Sequence, residues 1–150
     1  MFVVAIIAFL VILAILGKPQ KRPPKPRKAP ESEDYTENSF FTKVAGVTQR
    51  NDDGIARQSL IADCKQFDQL YLQREPRNLF DTNAIKVTRE NGDLIGYIPA
   101  HVASRGLAED MDSGLTVKCV ISDITGGTDG RSLGVNLSVS VREYFSSRKR

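Results

Sequence analysis

The chain opens on an unbroken apolar run and crosses a stretch almost empty of apolar side chains. It then settles into short segments with apolar residues at every second position. The first run covers residues 2–16, and a helix over residues 1–17 would be about 25 Å long at the α-helical rise. That is the short end of what crosses a hydrocarbon core, with Lys18 able to snorkel to the headgroups. A cleaved signal peptide carries its basic residues before the apolar run, whereas here the basic cluster follows it. The pattern therefore predicts one transmembrane helix over residues 1–17 that is retained as an anchor. The positive-inside rule then places the N-terminus outside and the folded domain on the cytoplasmic side of the cell membrane, as a single-pass protein.

Residues 18–38 hold Pro19, Pro23, Pro24, Pro26 and Pro30, five of the seven prolines. With so few apolar side chains the segment has no core to bury and reads as an extended linker, roughly 60 Å long if fully polyproline-like. Its basic half runs from Lys18 to Lys28, and its acidic half carries Glu31, Glu33, Asp34 and Glu37. Beside a membrane anchor the basic run is expected to lie on anionic lipid, at about 1 kcal/mol per charge. A nucleic-acid contact and a proline-rich docking motif are the alternatives for the same stretch.

Alternation starts near Ser39. Strands are predicted over residues 40–47, 69–74, 84–89, 94–98, 116–124 and 132–141, the last with Leu133, Val135, Leu137, Val139 and Val141 on one face. Helical spacing appears at Ile55, Leu60, Ile61 and Cys64, and again after Pro99 through Val102, Leu107 and Met111, with Gly114 as the stop. Asn91-Gly92 reads as a tight hairpin turn. Two short helices cannot cover both faces of a parallel sheet. The fold class expected is mainly β: a small six-stranded OB-like or SH3-like barrel over residues 39–142, preceded by the transmembrane helix and followed by a basic tail over 143–150.

Charge changes this picture by what it removes. The whole chain carries a formal +3, but residues 39–147 hold 12 Lys and Arg against 14 Asp and Glu, 12 − 14 = −2. A high overall pI is thus no argument that the domain itself binds nucleic acid; any such binding must come from a local patch. Cys64 and Cys119 stand far apart, outside any zinc-ligand spacing, and read as reduced core thiols. No Walker loop, no Ser/His/Asp order and no facing carboxylate pair is present, so neither catalysis nor a cofactor is expected. Glu109, Asp110 and Asp112 read as solvated charge on a surface helix, and His101 as an inert residue at its start.

The most informative stretch is Arg74 to Val87, REPRNLFDTNAIKV, where two strands flank a polar loop. Asn78, Asp81 and Asn83 are residues that fold onto neighbouring backbone N–H groups and order a loop without regular structure. Phe80 must either plug the core or face a ligand, and Asp81 either caps its own loop or accepts a hydrogen bond from a ligand hydroxyl. Arg57, on a short helix, is by default solvent-facing but could neutralise a phosphate. Lys86, Arg74 and Arg77 could extend a basic patch, and Tyr97 is either a second aromatic wall or a barrel side chain.

The order of motifs adds a resemblance. Asp53-Gly54, Arg57-Gln58 and Cys64 are followed by Leu70, Leu72 and Arg74-Glu75-Pro76, then Asn78, Phe80-Asp81, Asn83-Ala84-Ile85 and Val87. Ile95 to Pro99, Ile124 to Gly127 and Leu133 to Val135 complete the series. Over about residues 39–142 this chain resembles a HIRAN domain, of the type found in small bacterial and phage proteins without a helicase. The resemblance implies an OB-like barrel that binds DNA and, as in the eukaryotic fork-remodelling helicases, captures the 3′-hydroxyl end of a single strand. By motif it implies that Arg57 and Phe80 lie beside the last bases and that Asp81 takes the terminal hydroxyl; Gln58, Tyr97 and Lys86 complete the DNA-binding residues expected of this chain. This chain departs from the family pattern at Leu79 (usually proline), Phe80 (usually tyrosine), Gln58 (a second aromatic), Pro99 (basic in some members) and Phe67 (commonly glycine). The function expected is a non-catalytic, membrane-tethered module for single-stranded DNA ends. The alternative is a protein-interaction module on the same barrel that has lost DNA-end binding.

Overall fold

The computed structural model describes residues 34–145. The expected anchor over residues 1–17, most of the linker and residues 146–150 lie outside the described residues. No helix among the described residues is long and apolar enough to cross a membrane.

Six strands are described: β1 (Asp34–Lys43), β2 (Gln69–Arg74), β3 (Ile85–Thr88), β4 (Leu94–Tyr97), β5 (Thr116–Thr125) and β6 (Gly134–Phe145). They form one antiparallel sheet in the order β1-β6-β5-β2-β3-β4. The two ends of that order meet. Past the end of β1, Ala45 and Tyr97 exchange backbone hydrogen bonds of 2.8 and 3.0 Å, so the sheet closes on itself through one residue pair. Gly96 makes this approach possible: a Cβ there would collide with the Val44 side chain and the Ala45 carbonyl oxygen.

The period-two segments place their apolar faces inward as expected. Ile85, Val87, Ile95, Cys119, Ile121, Val135, Leu137 and Val139 are fully or almost fully buried, and Leu133 is half-buried at the rim. Cys64 and Cys119 are both free and buried, and burial alone pushes the Cys119 thiol up to about 12. The short helix α1 (Arg57–Ala62) drives Ile61 into the core.

The second helical stretch is less regular than its spacing implied. It consists of α2 (Ala100–Val102), a π-helical turn (Ala103–Leu107) broken at Gly106, and α3 (Ala108–Asp112). Asn91-Gly92 also differs from expectation: only Gly92 has a positive φ, and the Arg89 N–H reaches the Asp93 carbonyl, which makes a three-residue hairpin loop.

Two boundaries move outward. β1 begins at Asp34, inside the expected linker, and β6 runs to Phe145, into the expected basic tail. These ends form a polar two-stranded ribbon in which alternation is a weak signal. Its side chains nonetheless meet: Tyr35 lies 5.8 Å from Tyr144, and Arg142 pairs with Glu37 at 3.0 Å while covering the Tyr35 ring at 4.9 Å.

Gly96→Ala is expected to destabilise the domain by about 3 kcal/mol, because the added methyl must push apart the pair that closes the sheet. Gly92→Ala, where nothing lies within 4 Å of the added Cβ but φ is +88°, should cost only about 1 kcal/mol. Urea unfolding of the two variants checks the ranking.

Candidate nucleic-acid interface

The β2–β3 loop is ordered from its first two residues. The Arg74 guanidinium donates to both carboxylate oxygens of Asp112 at 2.9 Å, to the Ala84 carbonyl at 2.9 Å and to the Thr82 carbonyl at 3.1 Å. The fork thus grips α3 and the far end of the loop at once, as a planar bidentate donor can. Asp112 lies below its usual carboxylate range because Arg74 donates to it.

Within the loop, Asn78 Oδ1 accepts from the Phe80 N–H at 2.9 Å and the Asp81 N–H at 3.1 Å. Asp81 Oδ1 accepts from the Asn83 N–H at 2.8 Å. With its backbone held in this way the loop turns Leu79 and Phe80 outward, 95% and 97% exposed. Phe80 is therefore no core plug. Leaving such a ring in water forgoes roughly 1.5–3 kcal/mol of burial. Asp81 does cap its own loop, as one of its two alternatives held, and is half-buried.

Behind the loop lies a cleft of about 350 Å³ whose lining includes Arg57, Glu75, Lys86 and Tyr97. Arg57 departs from the default for a helical arginine: it is only 5% exposed. Its Nε donates to Asn51 Oδ1 at 2.8 Å and its Nη1 to the Gly46 carbonyl at 3.0 Å, and the guanidinium stands 5.4 Å from the Tyr97 ring centre. Lys86 pairs with Glu75 at 2.6 Å. The same Glu75 carboxylate accepts from Asn78 Nδ2 at 2.7 Å and faces the Tyr97 hydroxyl at 3.5 Å. Lys86 and Asn78 together hold Glu75 below the usual carboxylate range, and Glu75 in turn raises Lys86. Tyr97 is pushed up, first by burial and then by the Glu75 charge.

The expected site residues are thus divided. Arg57, Lys86 and Tyr97 share the cleft, while Phe80 and Asp81 sit on the loop joined to it through Glu75 and Asn78. Gln58 faces elsewhere: its amide nitrogen donates to the Val47 and Leu133 carbonyls at 2.9 and 3.0 Å, and its oxygen accepts from the Leu133 N–H at 2.7 Å. It pins the segment after β1 to the start of β6. His101 is exposed at the start of α2 and lines neither the loop nor the cleft.

Sequence reasoning placed Glu75 only in a motif and Asn51 only in a turn, and gave no site role to either: Glu75 joins loop to cleft and Asn51 holds Arg57. Glu75 sits directly before Pro76, but only the fold shows that Lys86 and Tyr97 arrive beside it. In the cleft Asp52, Asp53, Glu75 and Asp93 outnumber Arg57 and Lys86. Among the described residues no group of His, Cys, Asp and Glu is arranged to hold a metal ion.

Comparison with known proteins agrees with this fold. The fold matches the crystal structure of the HIRAN domain of human HLTF with a TM-score of 0.55 at 23% identity, covering 72% of this chain and 78% of that one. It matches a crystal structure of a protein from Lactobacillus plantarum with a TM-score of 0.59 at 20% identity, covering 73% and 99%. In sequence, 44 residues are 50% identical to helicase-like transcription factor of Oryctolagus cuniculus, 29% of this chain but 4% of that protein. The family model for the HIRAN domain matches residues 38–142. With most of its length inside that match, the chain belongs to the HIRAN domain family.

Proposed function

We propose that this domain binds single-stranded DNA at a 3′-hydroxyl end, without catalysing a reaction on it. One observation carries the reading: an almost fully exposed phenylalanine is held on a hydrogen-bonded loop, with a carboxylate as the next residue in the chain. A base stacks on such a ring for about 1–3 kcal/mol, whatever its identity. A carboxylate is a poor neighbour for phosphate but a good acceptor for a sugar hydroxyl. Asp81 uses one oxygen on the Asn83 N–H, and Oδ2 is the atom that would take the hydroxyl. The acid-rich cleft supports a terminus rather than a long strand as ligand, because few phosphates can be neutralised there. Arg57 contributes a fixed positive charge at the cleft, and Gln58 a positioning role through the segment it pins. The apolar run over residues 2–16 supports a version of this module tethered to the cytoplasmic face of a membrane, with residues 18–28 against anionic lipid.

A second reading has its own support. Leu79 and Phe80 form an adjacent exposed apolar pair on a domain of net negative charge, which suits a protein partner as well as a base.

Fluorescence anisotropy with residues 33–150 separates the two readings. A single strand ending in 3′-hydroxyl is expected to bind at least tenfold more tightly than the same strand ending in 3′-phosphate, with a shallow salt dependence. Phe80→Ala should weaken binding about tenfold or more. Asp81→Asn should abolish the preference between the two ends, since the repulsive charge is gone. Equal affinity for both ends discards end capture, and no binding even at low salt leaves the protein-partner reading.

Glu75 supplies a pH test of the same loop. Its folded pKa is depressed, so the stability it contributes is present above the ordinary carboxylate value and is lost as pH falls through the depressed one. Glu75→Gln should flatten the acid limb of the stability–pH profile below about pH 4.5, and leave Phe80 and Asp81 with broadened amide resonances.

A further inference from the structure

A second cleft lies away from the loop and the Arg57 cleft. It holds about 690 Å³ between the outer edge of β1 and the broken helical stretch. The Val44 N–H donates to Val135 on β6, and the next residue, Ala45, bonds to Tyr97 on β4. Successive residues of an extended strand turn their backbone groups to opposite edges. The register therefore points the N–H and C=O of Ser39, Phe41 and Lys43 away from β6. On that side β4 would continue opposite Lys43 at position 99, but Pro99 has no N–H and starts α2, which carries the chain away. Among the described residues the edge has no partner strand over residues 38–43, roughly 20 Å at about 3.3 Å per residue. Phe41 stands on it 77% exposed. Gly106 keeps the opposite wall free of a side chain at the break in the helix.

We propose that this groove takes an extended peptide of a partner protein, adding as a strand to the edge of β1, with apolar residues alternating with carboxylates. The unpaired backbone edge selects a peptide, because a peptide returns N–H and C=O at the same repeat and a nucleic-acid strand does not. The alternation follows from the pleat: every second side chain falls on the solvent face of β1 that carries Phe41, and those between fall on the opposite face, towards the helical stretch that carries Arg105. Charge selects acid over base, since Lys43 and Arg105 line the groove against a single acid, Asp110. The site is independent of Phe80 and Asp81, so a domain occupied by a DNA end keeps this edge free.

Backbone amide spectra of the ¹⁵N-labelled full chain in detergent micelles test the proposal. The probe is a capped eight-residue peptide alternating valine with glutamate. The Ser39, Phe41 and Lys43 amides are expected to shift in a saturable way and to gain protection from exchange. A valine–lysine peptide should bind at least fivefold more weakly, and so should the valine–glutamate peptide to Arg105→Glu, a change at an exposed position. Phe80→Ala should leave binding unaltered. The proposal is overturned if these three amides do not move, if both peptides bind alike, or if oligothymidylate moves the same amides at lower concentration. It is overturned equally if the amides are already protected in the free chain, which would mean that the chain's own segment fills the groove.

Discussion

A single backbone pair, Ala45 with Tyr97, decides the shape of this domain. It joins the first and last members of the strand order, and it exists because Gly96 has no side chain to hold the two segments apart. Closure at that point sets Tyr97 facing Glu75, and brings the segment that carries Gly46, Gln49 and Asn51 around the Arg57 guanidinium. A cation this deep is tolerated only because its N–H groups find carbonyl acceptors and an aromatic face. The same closure stops after one pair. Pro99 cannot continue the ladder, the chain turns into a helix, and the remaining edge of β1 has no partner strand among the described residues. The cleft behind the loop and the groove along β1 are two consequences of one seam.

The loop between β2 and β3 follows a different logic. Arg74 and Glu75 are consecutive and so point to opposite sides of the strand, one to α3 through Asp112, the other to Lys86 and Tyr97. Held from both sides, the loop keeps two apolar side chains in water that a slack loop would fold back onto the protein. Exposure maintained against the hydrophobic effect, with ion pairs and Asx turns resisting collapse, is the physical mark of a surface built to meet something. Most of the positive charge nearby is answered internally, by Glu75 for Lys86 and by Asp112 for Arg74. Attraction to a polyanion is correspondingly small, and recognition would rest on stacking and on the hydroxyl acceptor.

Local rules were sufficient where the residue pattern and its physical cause coincide. The alternation in 132–141 became the buried face of β6, because a side-chain period of two leaves no other way to hide Val135, Leu137 and Val139. The Asn78 and Asp81 side chains ordered their loop through contacts two and three residues away, with Asn83 contributing its backbone N–H, and these depend on little beyond those residues. Local rules failed at the ribbon made by the ends of β1 and β6. Asp34 to Asn38 looks like linker by composition, and it becomes strand only because β6 offers a ladder and Arg142 a partner for Glu37.

The amino-acid sequence by itself determined the β character, the inward faces, the loop's internal turns and, through an ordered series of motifs, the family. Each of these rests on propensity, period or contacts a few residues apart. Only the tertiary structure decided that Arg57 is buried, that Gln58 bonds segments 11 and 75 residues away, that Glu75 joins loop to cleft, and that Phe80 stands in solvent. Those outcomes depend on which distant backbone arrives beside a side chain, and that is set by the closure of the sheet.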